Sequence, residues 1–257
     1  GGSVLTGPGP NLGAALETGQ RSAVEVAVLV GVGPGFGFAV AKTLASRGMA
    51  VVLASRRTAA LESLVNEIRH EGHTAVAYGC DATSEPSVGA LMSWVSSNLG
   101  VPHLVVYGVQ GSGPGKVVDI EVAAFEEYWR QNCLGGFIVA REAARRMGPL
   151  GRGSIVLIGS TSSLLGRAGH LNLAVGKFGL RAIAQVLSRE MWSRGVHVMH
   201  LLIDADIQED ASDPNSQTQS DPLDIAEFLH QLHRQKRSAW TSEADLRPWN
   251  EQFWEHC

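Results

Sequence analysis

"VEVAVLVGVGPGFGFAVAKTLASRG", residues 24–48, decides the fold of this 257-residue chain. It opens with Val24 to Val30, a short, β-branched and nearly all-apolar run. Such a run suits a strand buried on both faces. A glycine-rich turn follows. From Phe36 the pattern takes a helical period and stops at Gly48, where glycine ends a helix without steric penalty. Gly31, Gly35 and Gly37 lie between strand and helix. One glycine makes the tight turn, another lets the backbone approach a pyrophosphate, and the third lets helix pack on strand. The helix start then offers free N–H groups and a positive dipole end to phosphates. A plain strand–helix turn would not need three glycines in seven residues. The stretch predicts a nucleotide cradle, with Gly31, Gly35, Phe36 and Gly37 as its contacts.

The next strand, "AVVLAS", ends in Ser55, Arg56 and Arg57. A site that prefers NAD places a carboxylate here for the ribose hydroxyls. A guanidinium instead pairs well with a 2′-phosphate. NADP(H) is therefore the expected cofactor. The alternative is that the arginines only solvate a helix start, which fits Arg57 better than Arg56. After the third strand, "GCDATS" brings Asp81 and Ala82 to the same edge. Asp81 reads either as an acceptor for the adenine amino group or as a turn aspartate.

Outward from there, strand and helix alternate along nearly the whole chain. "TAALESLVNEIRHEG" is an amphipathic helix with Thr58 as its N-cap and Gly72 as its stop. "TAVAYGC", "HLVVYG", "GSIVLIGS" and "GVHVMHLLI" read as strands. "SEPSVGALMSWVSSNLG" reads as a helix. A helical region over about 121–148 looks broken at "CLGG", and further helices span about 170–194 and 222–234. This order predicts right-handed βαβ crossovers. The expected fold is a single Rossmann-like, doubly wound α/β domain over residues 23–257, with a parallel sheet of about seven strands. Residues 1–22 read as a flexible leader. Their "TGPGPNLG" mimics a phosphate loop, but no apolar strand precedes it.

Composition narrows the partners. Hydrophobic residues make up 44% and charged residues 18%, which supports a real core. A net charge of −4 gives no reason to expect nucleic acid or an anionic membrane. No apolar run reaches the roughly 18 residues of a membrane span. The start lacks the basic-then-apolar order of a secretory signal. Cys80, Cys133 and Cys257 are too few and too scattered for a disulfide framework or a thiolate metal site. A reducing, cytoplasmic setting is the expectation.

Together these features resemble the short-chain dehydrogenase/reductase superfamily, over about residues 24–207. Its G-x-x-x-G-x-G pattern matches Gly31, Gly35 and Gly37, and its adenine-site aspartate matches Asp81. Its active-site asparagine matches Asn132 in "YWRQNCLGG". Its catalytic serine matches Ser160 in "LIGSTSS", and its lysine matches Lys177. The family's Asn-Asn-Ala-Gly element falls at Tyr107 to Gln110 and is almost wholly replaced. The Pro-Gly after the sixth strand is replaced by Asp204 and Ala205, with Ile207 as the implied backbone contact for the nicotinamide. The family's serine-to-tyrosine spacing of thirteen lands on Leu173. The resemblance thus implies serine, lysine and asparagine without the proton-donating tyrosine. "HLNLAVGKFG" and "GVHVMHLLID" further resemble a divergent branch whose tyrosine position is apolar.

Reducing a ketone creates an alkoxide, so hydride delivery needs an acid. Leucine cannot donate a proton. Three functions remain open. One is an NADPH-dependent reductase of an imine or iminium, an activated C=C bond or a carbonyl. His170, one helical turn before Leu173, is then a substitute donor, with Ser162, Asn172 and Asp204 as others. Each also has a plain reading, as a cap, loop or turn residue. The second is a redox-silent cyclase or isomerase, and the third a non-catalytic nucleotide-binding protein. The partner in the first two is a small molecule. The long helices would join subunits of a homodimer or homotetramer, as the family commonly does. His230 and His233 lack an apparent third ligand for a metal. His197 and His200 have opposite parity on one strand and face opposite sides. Cys133 reads as a small buried residue, and Trp240, Trp249 and Trp254 as core or subunit contacts. The segment after Ile207 is too polar for a greasy lid.

Overall fold

A computed structural model describes residues 24–249 apart from 32, 34 and 204–219. The leader, Asp204, Ala205, Ile207, most of the polar segment after it, and Trp254 lie outside the described residues.

Seven parallel strands form one sheet. They are β1 (Val26–Val30), β2 (Ala50–Ser55), β3 (Ala75–Gly79), β4 (Leu104–Tyr107), β5 (Ser154–Gly159), β6 (His197–Ile203) and β7 (Glu243–Leu246). Their order is β3-β2-β1-β4-β5-β6-β7. Strand order therefore reverses between β1 and β4, and the crevice at the carboxyl ends of those strands is where such sheets take ligands.

Alternation along each strand sends side chains to two cores. Ala27, Leu29, Val51 and Leu53 meet α1 (Phe36–Ser46), α2 (Ala59–His70) and α7 (Pro222–Arg234). Val26, Val28, Val30 and Val52 meet the opposite layer. That layer holds α3 (Glu85–Asn98), α5 (Gly135–Met147) and α6 (Leu171–Met191). The continuous apolar runs are what a sheet covered on both faces demands.

Several sequence expectations need correction. Thr58 sits at the N-cap of α2 but its side chain caps nothing. Ser84 does cap α3, accepting the Ser87 N–H at 3.3 Å. "CLGG" does not break the long helix. α4 (Val122–Trp129) runs through a π-helical turn, Arg130–Leu134, straight into α5. The glycines there serve packing instead. A Cβ on Gly135 would strike the Tyr107 hydroxyl, and one on Gly136 would strike Leu180. Trp249 is 86% exposed and so takes no part in the core.

Candidate active site

The nucleotide cradle is built from the first turn upward. Gly31 holds φ at +72° and donates its N–H to the Ala54 carbonyl at 2.9 Å. A side chain there would be strained and would also collide with Val109. Gly35, at φ +79°, precedes α1, and its carbonyl takes the Ala39 N–H at 3.0 Å. Phe36 buries its ring in the core beneath α1, so only its backbone is left for a ligand. Gly37, in the first helical turn, is buried.

A cleft of about 180 Å³ opens beside this turn, lined by Gly31, Ser55, Arg56, Asp81, Ala82 and Val109 among others. Arg57 is exposed and not in the lining; its N–H reaches Ser55 Oγ at 3.4 Å. Asp81 makes the bonds of a turn aspartate and also lines the cleft. Its Oδ1 accepts the Thr83 N–H at 3.0 Å and the Thr83 hydroxyl at 2.8 Å.

The second half of the site surrounds the ends of β4 and β5. Ser160 follows β5 directly and is buried, as is Ser162 in the short 3-10 turn Thr161–Ser163. Among the described residues the Ser162 hydroxyl has no hydrogen-bond partner, and the Ser160 side chain shares a capping box with Ser163 that leaves its proton without an acceptor. The Ser163 hydroxyl accepts the Ser160 N–H at 3.2 Å and steadies the turn. α6 packs on that turn and on the π-helical segment. Lys177, on α6, is fully buried and donates to the Ile158 carbonyl at 3.0 Å. Burial lowers its pKa to about 8, because the charged form has lost its water.

Asn132 lies in the π-helical turn and is fully buried. Its Oδ1 accepts the Gly111 N–H at 3.2 Å. Its amide donates to the Gly111 carbonyl at 2.7 Å and to the Tyr128 carbonyl at 3.0 Å. It therefore clamps the loop after β4 to α4. Gly176 lets α6 approach it, since a Cβ there would strike the Asn132 side chain. Asn172 donates to the Gly113 carbonyl at 3.0 Å, and its own Oδ1 is buried without a partner among the described residues.

Leu173 stands one turn before Lys177 and is half-buried. The three tyrosines of the chain are elsewhere. Tyr78 is in β3, Tyr128 lies against Gly113, and Tyr107 donates its hydroxyl to the Gln131 carbonyl. His170 is the N-cap of α6, with no side-chain capping bond. The neighbouring Gly169 carbonyl takes the Gly115 N–H at 2.9 Å.

A family model described as short chain dehydrogenase matches residues 25–211. The chain belongs to that family. Sorbitol-6-phosphate 2-dehydrogenase of Escherichia coli is 30% identical over 182 residues, 70% of each chain. Cis-4-hydroxycyclohexanecarboxylate dehydrogenase of Sinomonas cyclohexanicum is 28% identical, covering 70% of this chain and 72% of that one. A short-chain dehydrogenase from Rhodopseudomonas palustris superposes with a TM-score of 0.78 at 32% identity, over 88% of this chain and 99% of that one. A metagenomic short-chain oxidoreductase solved with NADP gives 0.77 at 25% identity, over 87% and 97%.

The resemblance matched Ser160, Asn132 and Lys177 to one site, and in the structure α6, which carries Lys177, packs on both the turn after Ser160 and the π-helical segment that holds Asn132. Sequence reading missed the supports behind them. His200 puts its Nδ1 3.0 Å from Glu243, which also takes two bonds from Arg181 at 2.8 and 3.0 Å. The other side of the His200 ring lies against Gly159, next to Ser160. Arg247 donates to the Thr161 hydroxyl at 2.6 Å. Both supports come from the C-terminal end of the chain, and no local spacing links them to Ser160.

Proposed function

We propose that this protein is an NADP(H)-dependent oxidoreductase that reduces a small molecule bearing an imine or iminium, an activated C=C bond or a carbonyl. The observation that carries the cofactor reading is Arg56, a cation in the cleft lining where a carboxylate would select NAD. Gly31, Gly35 and Gly37 fit a pyrophosphate approach, and the α1 start fits its charge. Ser55 and Arg56 hold the ribose phosphate, and Asp81 and Ala82 the adenine side. When bound, the reduced nicotinamide supplies the hydride.

The chain's own residues do the rest. The Ser160 hydroxyl, buried and with no protein acceptor for its proton among the described residues, donates to the substrate's polar atom. Lys177 holds the ribose. With a pKa of about 8 it is also an acid matched to neutral pH. Leu173 gives the substrate an apolar face and no proton. A substrate that already carries positive charge, or that takes its proton from water, suits this set better than a simple ketone. The protein acts as a homodimer or homotetramer joined through its long helices.

Calorimetry tests the reading, with NADPH, NADP+ and NADH on the wild type and on Arg56→Ala. We expect micromolar binding of NADPH, weaker binding of NADH, and a loss of roughly tenfold or more in Arg56→Ala. Absence of binding by all three nucleotides overturns the proposal. NADPH binding without turnover of imines, enones or ketones leaves a redox-silent catalyst in its place.

A further inference from the structure

The sheet carries a second polar cleft at its other edge, where β1, β4, β5 and β6 begin. It has a volume of about 180 Å³, and its lining includes Glu25, His103, Arg152, His197, His233 and Arg237. Its hydrogen bonds fix the proton on two of the rings. His103 accepts the Val26 N–H on Nδ1 at 3.0 Å, so its neutral ring carries the proton on Nε2 as a spare donor. His197 sits with Nε2 2.7 Å from the Thr241 carbonyl, so Nε2 donates and Nδ1 is a bare acceptor. His197 is 1% exposed, and among the described residues that Nδ1 has no partner. Burial lowers the pKa of both rings, that of His103 to about 4, which keeps them neutral near pH 7. The Trp240 ring stacks flat on His197, with centroids 4.5 Å apart.

Charge around the cleft is positive. Arg152 donates to the Pro102 and Val101 carbonyls at 2.9 and 3.3 Å, and Arg237 to the Gly151 carbonyl at 2.6 Å. A guanidinium has five donors, so both keep N–H groups to spare. The one carboxylate among the described lining residues, Glu25, is already matched by Arg234 at 2.8 Å and faces His233 at 3.5 Å. Water would satisfy the bare nitrogen but not the excess of cations. A ligand that answers both needs acceptor oxygens, negative charge and one O–H of its own.

We infer that this cleft binds a hydrogen phosphate group, free or at the end of a phosphomonoester. Arg152, Arg237 and His103 Nε2 donate to its oxygens, and its remaining O–H is given to His197 Nδ1. The site lies at the opposite ends of the strands from the nucleotide cradle and does not depend on the cofactor reading.

The test uses the full chain, with calorimetry and imidazole NMR at pH 7. The probes are inorganic phosphate, methyl phosphate and sulfate, which has charge but no proton to give. Phosphate is expected to bind with a Kd of about 1 mM or tighter and to move the His103 and His197 ring signals. Sulfate should bind at least roughly tenfold more weakly. His103→Asn keeps an acceptor for the Val26 N–H but deletes the Nε2 donor, and should weaken phosphate roughly tenfold. Arg237→Gln should do the same. Arg56→Ala, which alters only the nucleotide cleft, should leave the His103 and His197 ring shifts with phosphate as they are in the wild type. Methyl phosphate binding as well as phosphate assigns the site to phosphomonoesters, and weaker binding assigns it to the free ion. The inference fails if sulfate equals phosphate, if both cleft variants bind like the wild type, if the ring signals stay still, or if Arg56→Ala abolishes binding.

Discussion

Lys177 is a buried cation whose burial is the sole cause of its shifted pKa. Its amine titrates near 8 in the fold and near 10.5 in the unfolded chain. Below pH 8 both states hold the proton, and the native state carries the full cost of a buried ammonium. Between about 8 and 10.5 the unfolded chain binds more protons, so this residue makes stability rise with pH. The shift corresponds to about 3 kcal/mol at the upper end. Lys177→Met should therefore be more stable than the wild type near pH 7, by about 1–3 kcal/mol, with the difference closing by pH 10.5. Urea unfolding of both proteins at several pH values measures it. Subtracting the two curves cancels the tyrosine and cysteine titrations they share. A difference that is flat in pH would mean that the lysine keeps its ordinary pKa in the fold, as a hydrated ammonium does. Lys177 was singled out in the sequence through the resemblance, whose lysine it matches. Its burial was not legible there, since that depends on β5 and β6 lying beneath it.

β7 is the element that the sequence hid. Its Glu-Ala-Asp-Leu run is short, polar and only half-buried, so neither alternation nor β-branched enrichment marks it. Tertiary partners hold it: parallel pairing with β6, and Glu243 bonded to Arg181 of α6 and to His200 of β6. The π-helical turn was hidden for a related reason. "CLGG" carries two helix-weakening glycines, and only the close approach of Tyr107 and Leu180 explains them. The first six strands and the glycine turn, by contrast, were readable because buried parallel strands impose a pattern on contiguous residues. β7 yields its own prediction. Burial pushes the Glu243 carboxyl up, but bonds from Arg181 and His200 outweigh this and hold it below the usual range. Glu243 in turn works against the burial that lowers His200. Glu243→Gln removes the charge but keeps an acceptor. Stability at pH 7 should fall by about 1–2 kcal/mol in urea unfolding. The His200 ring pKa, followed by NMR, should drop further. An unchanged pKa would show that Glu243 does not bear on the ring.

At the scale of the whole molecule, two opposite edges of the sheet are polar and one flank is apolar. The cradle occupies the carboxyl ends of the strands, and the histidine–arginine cleft their amino ends. The apolar flank is a groove of about 510 Å³ between α5 and α6, lined by Phe137, Ala140, Ala144, Ile183, Val186 and Leu187 among others. Phe137 is 42% exposed and Val186 57%. Large apolar side chains grouped on one face mark an association surface more often than a free one. A second copy presenting the same two helices about a two-fold axis fits this face, because an isologous contact needs only self-complementarity. Its rim carries Arg141, Arg145 and Arg194 with Glu190 among them. The wild type should therefore sediment as a dimer or a tetramer at micromolar concentration. Val186→Glu would place a carboxylate in the middle of the contact, where desolvation penalises it in the oligomer but not in the monomer. The expected outcome is a species of about half the mass or less, with unchanged far-ultraviolet circular dichroism because Val186 is not in the core. A wild type that sediments as a monomer throughout, or a Val186→Glu variant that keeps the wild-type mass, would remove α5 and α6 from the assembly and leave their apolar groove to some other occupant.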